Sequence, residues 1–253
     1  KYPETIYWGR VKIHETGSFS TSGMRSAIEE GEYEGWGDLR LPTIQSMKRR
    51  GYSAKAFSAF WLELGLTKKD IGASMKTLNR FNTREVDLKA RRVTVVRRPI
   101  EISVKVNPKF QTEKILLPVH PDFNEQGKRV WNLEYEKDEI SILIEERDTE
   151  QLKKDARLRG WADIGEFSLK AETAKILRTQ RSENLTQIHW LPTNKGTSSI
   201  LEQVIDGKIT QLPIAIEIYD PPLKQDEVIQ VERIGFAKCE YRKEELILLM
   251  IHE

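Results

Sequence analysis

The hydrophobic period of this 253-residue chain changes close to residue 90, and that change limits what it can fold into. Before it, apolar residues recur three and four apart: Met24, Ala27 and Ile28, then Phe57, Phe60, Trp61 and Leu64, then Ile71, Met75 and Leu78. Such spacing gathers them on one face of a helix. After it, Ile100, Ile102, Val104 and Val106 alternate with Glu101, Ser103 and Lys105, the two-residue period of a half-buried strand. Turn signals at Asn107-Pro108, Pro121-Asp122, Asp206-Gly207 and Asp220-Pro221-Pro222 divide further strand candidates at 93–96, 114–119, 140–145, 186–191, 214–219, 228–234, 236–241 and 246–252. So many short strands exceed one small barrel and point to two. The expected fold class is α+β: a small helical domain followed by two antiparallel β-barrels.

The helical part has legible ends. Thr21 or Ser22 starts a first helix and Gly31 ends it, while Thr43 after Pro42 caps a second that ends at Gly51. Ser53 and Gly65 bracket a third, whose aromatic stripe reads as core. Thr67 to Asp70 has the form of a capping box for a fourth helix carrying Ile71, Met75 and Leu78.

Charge is unevenly spread. The net charge is +2, yet residues 40–98 hold 15 Lys/Arg against 4 Asp/Glu, with −3 before and −6 after. Clustering of this kind suits a patch that tracks phosphates. A run of small residues (Gly17, Ser18, Ser20, Thr21, Ser22 and Gly23) feeds the first helix. Unpaired N–H groups there can hold an anion, although the spacing suits an ordinary N-cap equally well.

Several chemistries have no sequence support. His14, His120, His189 and His252 are scattered, with no neighbours at metal-ligand spacing, so no metal site is expected. There is no GxSxG, Walker or GxGxxG motif. The single cysteine, Cys239, suits a reducing cytoplasm and reads as a core residue. No apolar run is long enough for a membrane span, and no signal peptide is expected. The start at Lys-Tyr-Pro, without methionine, leads us to expect an upstream part.

The stretch GSFSTSGMRSAIEEGEYEGWGDLRLPT resembles the signature region of archaeal-type glutamyl-tRNA synthetases, close relatives of the glutaminyl-tRNA synthetases. Gly35-Trp36-Gly37-Asp38-Leu39-Arg40-Leu41-Pro42-Thr43 stands where the family usually has GWDDPRLPT. Further likenesses follow in order: Leu117-Pro118-Val119-His120-Pro121, Ala156-Arg157-Leu158-Arg159, Ile188-His189-Trp190, and Val231-Glu232-Arg233-Ile234-Gly235-Phe236.

The resemblance implies a KMSKS-like loop, stem-contact and helical domain over 1–90. It implies a proximal anticodon-binding barrel from 91–155 and 225–253, and a distal barrel, 156–224, inserted in it. Ser20, Thr21, Ser22 and Arg25 would meet ATP phosphates, with Thr21 at the usual lysine position. Arg92, Gln230 and Arg233 fall on positions that read the middle anticodon base, and Arg157 and Arg159 on the segment that reads the third. Asp38, Arg40, Lys48, Arg49 and Arg50 are the stem-contact candidates. The implied enzyme activates glutamate with ATP and Mg2+ and transfers it to tRNA(Glu), with tRNA(Gln) left open. This portion would recognise tRNA and hold no cofactor itself. Its own N-terminal catalytic domain, bearing the HIGH-type motif, would be the other partner, in the cytoplasm, with no membrane or DNA involved. Two other readings stand beside it: the same portion of a glutaminyl-tRNA synthetase, and a stand-alone RNA-binding β-barrel protein.

Overall fold

The computed structural model describes residues 3–13, 19–182 and 184–253. His14, Thr16, Gly17 and Ser18 lie outside them. Among the described residues, four α-helices occupy the first third: α1 (Thr21–Glu29), α2 (Ile44–Arg50), α3 (Ala54–Leu64) and α4 (Met75–Val86). Each is opened by a hydroxyl. Ser20, Thr43, Ser53 and Ser74 have extended backbones, and their side chains accept a backbone N–H from the first turn.

The expected fourth helix starts later than its periodicity suggests. Ile71–Ala73 is a strand that pairs in parallel with Val11–Ile13. Asp70 accepts the backbone N–H of Arg10 at 2.9 Å instead of completing a capping box. Ser74 caps the helix that follows. The spacing of Ile71, Met75 and Leu78 is helical, but a partner strand distant in sequence takes Ile71. The aromatic stripe also divides: Phe60 is buried, whereas Trp61 is exposed and packs edge-on against Trp8.

The helical region stands on a barrel. Met47, Tyr52, Phe60 and Leu78 share a core with Phe236 and Ile251. Gly51 terminates α2 at φ 112°, and a Cβ there would lie 2.6 Å from Ile251 Cδ1. Gly51→Ala therefore meets both left-handed backbone strain and a packed neighbour. We expect a loss of about 2 kcal/mol in urea unfolding; an unchanged midpoint would contradict this account of the junction.

Two seven-stranded sheets form the barrels. One runs in the order Arg92–Val93, Val228–Val231, Gly235–Arg242, Glu245–His252, Gly196–Ile205, Lys208–Glu217, Val95–Arg97. The other runs Thr186–Ile188, Ala156–Leu158, Asp163–Ser168, Thr173–Arg178, Pro99–Lys105, Glu139–Glu145, Trp190–Pro192. The second, built from 99–192, is inserted in the first, built from 92–97 and 196–252. In each, the two edge strands are consecutive pieces of chain, interrupted at Thr94 in the outer barrel and at His189 in the inner one. Each sheet is thus nearly closed by one segment that changes partner at a single residue.

This division differs from the expected 91–155 plus 225–253 and 156–224. Gly196–Ile205 and Lys208–Glu217 form a long hairpin whose strands pair with Glu245–His252 and Val95–Arg97, so both belong to the outer barrel. Pro99–Lys105 pairs along its whole length with Glu139–Glu145, so both belong to the inner one. The chain crosses between barrels at Arg98, whose φ is 44°.

A separate hairpin, Lys114–Pro118 with Lys128–Asn132, wedges against the junction. Ile115, Leu117 and Trp131 enter the inner core beside Trp161 and Trp190. Arg129 lies on the same buried face, while Val130 faces outward.

Candidate nucleic-acid interface

The interruptions at Thr94 and His189 meet where the barrels touch. Thr94, Leu117, Trp131, Arg159, His189 and Trp190 line one small hollow there. Thr94 leaves the ladder, and its N–H donates to the Glu217 carboxylate at 3.0 Å. Glu217 also accepts from Trp131 Nε1 at 2.7 Å and pairs with Arg129. Arg129 and Glu217 side chains are each 3% exposed. Glu232 takes Arg129 at 2.9 Å, Arg159 at 2.7 Å and the Thr94 hydroxyl at 2.8 Å.

Two arginines and two carboxylates therefore neutralise one another between the barrels. Burial alone would raise the Glu232 carboxyl, but Arg129 and Arg159 outweigh it and hold it at about 2. His189 is pushed down to about 4, first by burial and then by Arg159, so it is neutral at physiological pH. Sequence reasoning missed Arg129, Trp131 and Glu217, and gave Glu232 and His189 no role. Their available signal was the presence of charged residues at strand positions that the alternation assigns inward.

The middle-base candidates come together beside this network. Arg92 and Gln230 are paired neighbours on parallel strands. Arg92 is 4% exposed. Its guanidinium meets Asp87 at 2.9 Å, His120 Nε2 at 2.6 Å and the Asp87 and Ala90 carbonyls. Arg233 is exposed and donates to the Gln187 carbonyl of the inner barrel at 2.8 Å.

The third-base candidates separate in character. Arg157 is spent internally, on Asp163 at 2.6 Å and on the carbonyls of Trp161, Thr179 and Gln180. Arg159 keeps a side chain 32% exposed beyond its Glu232 pair. Arg157, Arg181, Ser182, Asn184 and Gln187 border a polar hollow of about 520 Å³.

Much of the basic run between 40 and 98 is likewise paired in space. Arg40 forms a two-pronged pair with Asp38, at 2.9 and 2.6 Å. Burial alone would raise the Asp38 carboxyl, but the Arg40 bonds and backbone N–H groups outweigh it and keep it near 2. Arg49 bonds Glu240 at 3.0 and 3.1 Å, and Arg50 bonds the Ile251 carbonyl, so both clamp α2 to the outer barrel. Arg91 pairs with Glu227 and Arg97 with Glu145. Lys48 is exposed.

At the start of α1, Ser20 Oγ is committed to the Gly23 N–H at 3.0 Å. Thr21, Ser22 and Arg25 are exposed around the same helix end. Those two hydroxyls and the first-turn N–H groups could form one edge of a phosphate site, but Ser20 is already engaged.

Residues 90–177 match the family described as tRNA synthetases class I (E and Q), anti-codon binding domain. The matched stretch holds most of the inner barrel. It carries Arg92, Arg129, Trp131, Arg157 and Arg159 in and around the barrel junction. The whole chain is similar to a glutamate–tRNA ligase of Methanosarcina barkeri, 34% identical over 100% of this chain and 43% of the relative. It is similar to that of Archaeoglobus fulgidus at 32%, over 99% and 43%. The Pyrococcus furiosus ligase is 29% identical over 100% and 44%. The chain thus spans less than half the length of these curated relatives, and matches their C-terminal part. The barrel junction, which lies within and beside the matched stretch, is the candidate interface.

Proposed function

We propose that this chain is the tRNA-recognising portion of a glutamate–tRNA ligase, and that it reads the anticodon of tRNA(Glu) at the junction of its barrels. The observation that carries this reading is the likeness to glutamate–tRNA ligases over the full chain. Those names favour glutamate over glutamine and favour a synthetase over a stand-alone RNA-binding protein. Gln230 and Arg233 face the middle uracil, and Arg92, held by Asp87 and His120, is the register partner of Gln230. A guanidinium donates to a uracil O4 or O2, and an amide oxygen accepts its N3–H. Arg159 and the hollow beside Arg157 serve the third base. Lys48 and neighbouring exposed lysines meet backbone phosphates, whereas Asp38, Arg40, Arg49 and Arg50 hold the helical region in position. ATP, Mg2+ and glutamate are handled by a catalytic part with which the α1 loop completes the phosphate site.

The test is binding of the 253-residue chain to anticodon stem-loop RNAs at fixed ionic strength, because phosphate contacts make affinity salt-dependent. A loop with anticodon UUC should bind about tenfold or more tightly than one with cytosine in the middle. Arg233→Ala should remove most of that difference. Equal affinity of the unaltered chain for both loops would sink the reading.

A further inference from the structure

We propose that Glu232 is a positioning residue that couples Arg159 of the inner barrel to Arg233 of the outer one, so that the two anticodon bases are read together. This inference rests on the anticodon reading above.

The Glu232 carboxylate is held from both barrels. Arg129 and Arg159 come from the inserted segment, and Thr94 from the outer barrel's interrupted edge. The Glu232 backbone N–H donates to the Val93 carbonyl at 3.0 Å, so main chain and side chain are both fixed. The next residue is Arg233, in the left-handed region at φ 62°. A non-glycine residue stays there when its surroundings over-determine the turn. On the near side Glu232 supplies that constraint. On the far side Gly235, at φ 143°, sits where a Cβ would lie 2.3 Å from the His252 carbonyl oxygen, which blocks retreat. Ile234 closes the turn with an N–H to the Val231 carbonyl at 3.0 Å.

Arg233 reaches from this turn across the junction to Gln187, which borders the same hollow as Arg157. Arg159 approaches from the opposite barrel, with one edge of its guanidinium on Glu232 and the remainder toward solvent. Glu232 thus ties the half-buried Arg159, through its carboxylate, to the exposed Arg233, through its backbone. A base that draws Arg159 out of the pair also loosens the turn beneath Arg233, and a base that leaves the pair intact keeps Arg233 aimed. Sites that share such an element have a coupling free energy, and their contributions are not additive.

Three anticodon stem-loop RNAs test this with the 253-residue chain: UUC, one with the middle base changed to cytosine, and one with the third base changed to adenine. Fluorescence anisotropy gives each dissociation constant. The unaltered chain is measured first, and failure to separate the three loops overturns the anticodon reading and the coupling together. Given separation, Arg159→Ala and Arg233→Ala are measured singly and jointly. Coupling predicts that the double variant departs from the product of the single losses by about fivefold or more. Agreement with the product within about twofold overturns the proposal while leaving the anticodon reading intact.

Glu232→Gln supplies the second arm, since it keeps the side-chain shape and removes the charge. It should reduce discrimination at both the middle and the third base by about fivefold or more, a ratio that a merely structural loss would not move. A folded Glu232→Gln chain, judged by circular dichroism, that discriminates as well as the unaltered one overturns the proposal. If that variant does not fold, the arginine cycle decides.

Discussion

Arg129→Ala is expected to cost about 3–5 kcal/mol of folding stability in urea unfolding. The side chain is almost completely buried and is the shared partner of Glu217 and Glu232. Its removal leaves two carboxylates in one enclosed space. Glu217 would keep Trp131 Nε1 and the Thr94 N–H, and Glu232 would keep Arg159 and the Thr94 hydroxyl, but one positive charge would be gone. Desolvating the network's charges offsets much of their mutual attraction. Arg129→Met combined with Glu217→Gln and Glu232→Gln should therefore recover most of the loss. The exposed Arg80–Glu63 pair, at 3.3 Å with both side chains about half exposed, is the contrast. Arg80→Ala should change stability by less than about 1 kcal/mol. A cost for Arg129→Ala as small as that for Arg80→Ala would refute the assignment of Arg129 to a buried, indispensable position between the barrels.

The helical ends were legible because their signals are local. Thr43, Ser53, Gly51 and Gly65 act within one turn of the helix they bound, and each appears where the sequence placed it. Ile71 was misread because its competing partner, Val11, is remote in sequence. The change of period near residue 90 correctly announced the β region, but it could not say which strands share a barrel. That depends on pairings such as Ile200 with Ile247 and Gln230 with Arg92. In the wedge hairpin residue type misleads where alternation does not, since Arg129 points inward in step with Trp131 and Val130 points outward. A hydrophobic scale would reverse them, and the gain that overrides it lies in Glu217 and Glu232, far along the chain. The basic excess over 40–98 was real in sequence but partly cancelled in space by Glu227, Glu240 and Glu145 from the barrels. Residues for the candidate interface were nominated by family likeness alone. Their mutual geometry was not legible in the sequence.

Acidification should weaken the barrel junction in two windows, and the first can be isolated. His189 is 4% exposed, and its folded value is lowered from 6.5 to about 4. Below about pH 6.5 the unfolded chain therefore takes up a proton that the folded chain refuses. Stability attached to neutral His189 is complete above that pH and is lost as pH falls toward about 4. At about 1.4 kcal/mol per unit the change is on the order of 3 kcal/mol. Glu232 acts later. Its folded value of about 2 lies below the ordinary 4.5, so its contribution is present above about 4.5 and disappears as pH falls toward 2. His252, also lowered mainly by burial, adds to the first window in the same direction. His189→Gln removes one titration from that window and leaves the Glu232 window in place. Urea unfolding followed by tryptophan fluorescence suits the test, because Trp131, Trp161 and Trp190 cluster at the junction. The variant should show a shallower fall in stability between about pH 6.5 and 4, by about 3 kcal/mol, and a parallel fall below it. Equal slopes for the variant and the unaltered chain in the upper window would mean that His189 is not held neutral by the closed junction. The solvent would then reach the point where both barrels are interrupted.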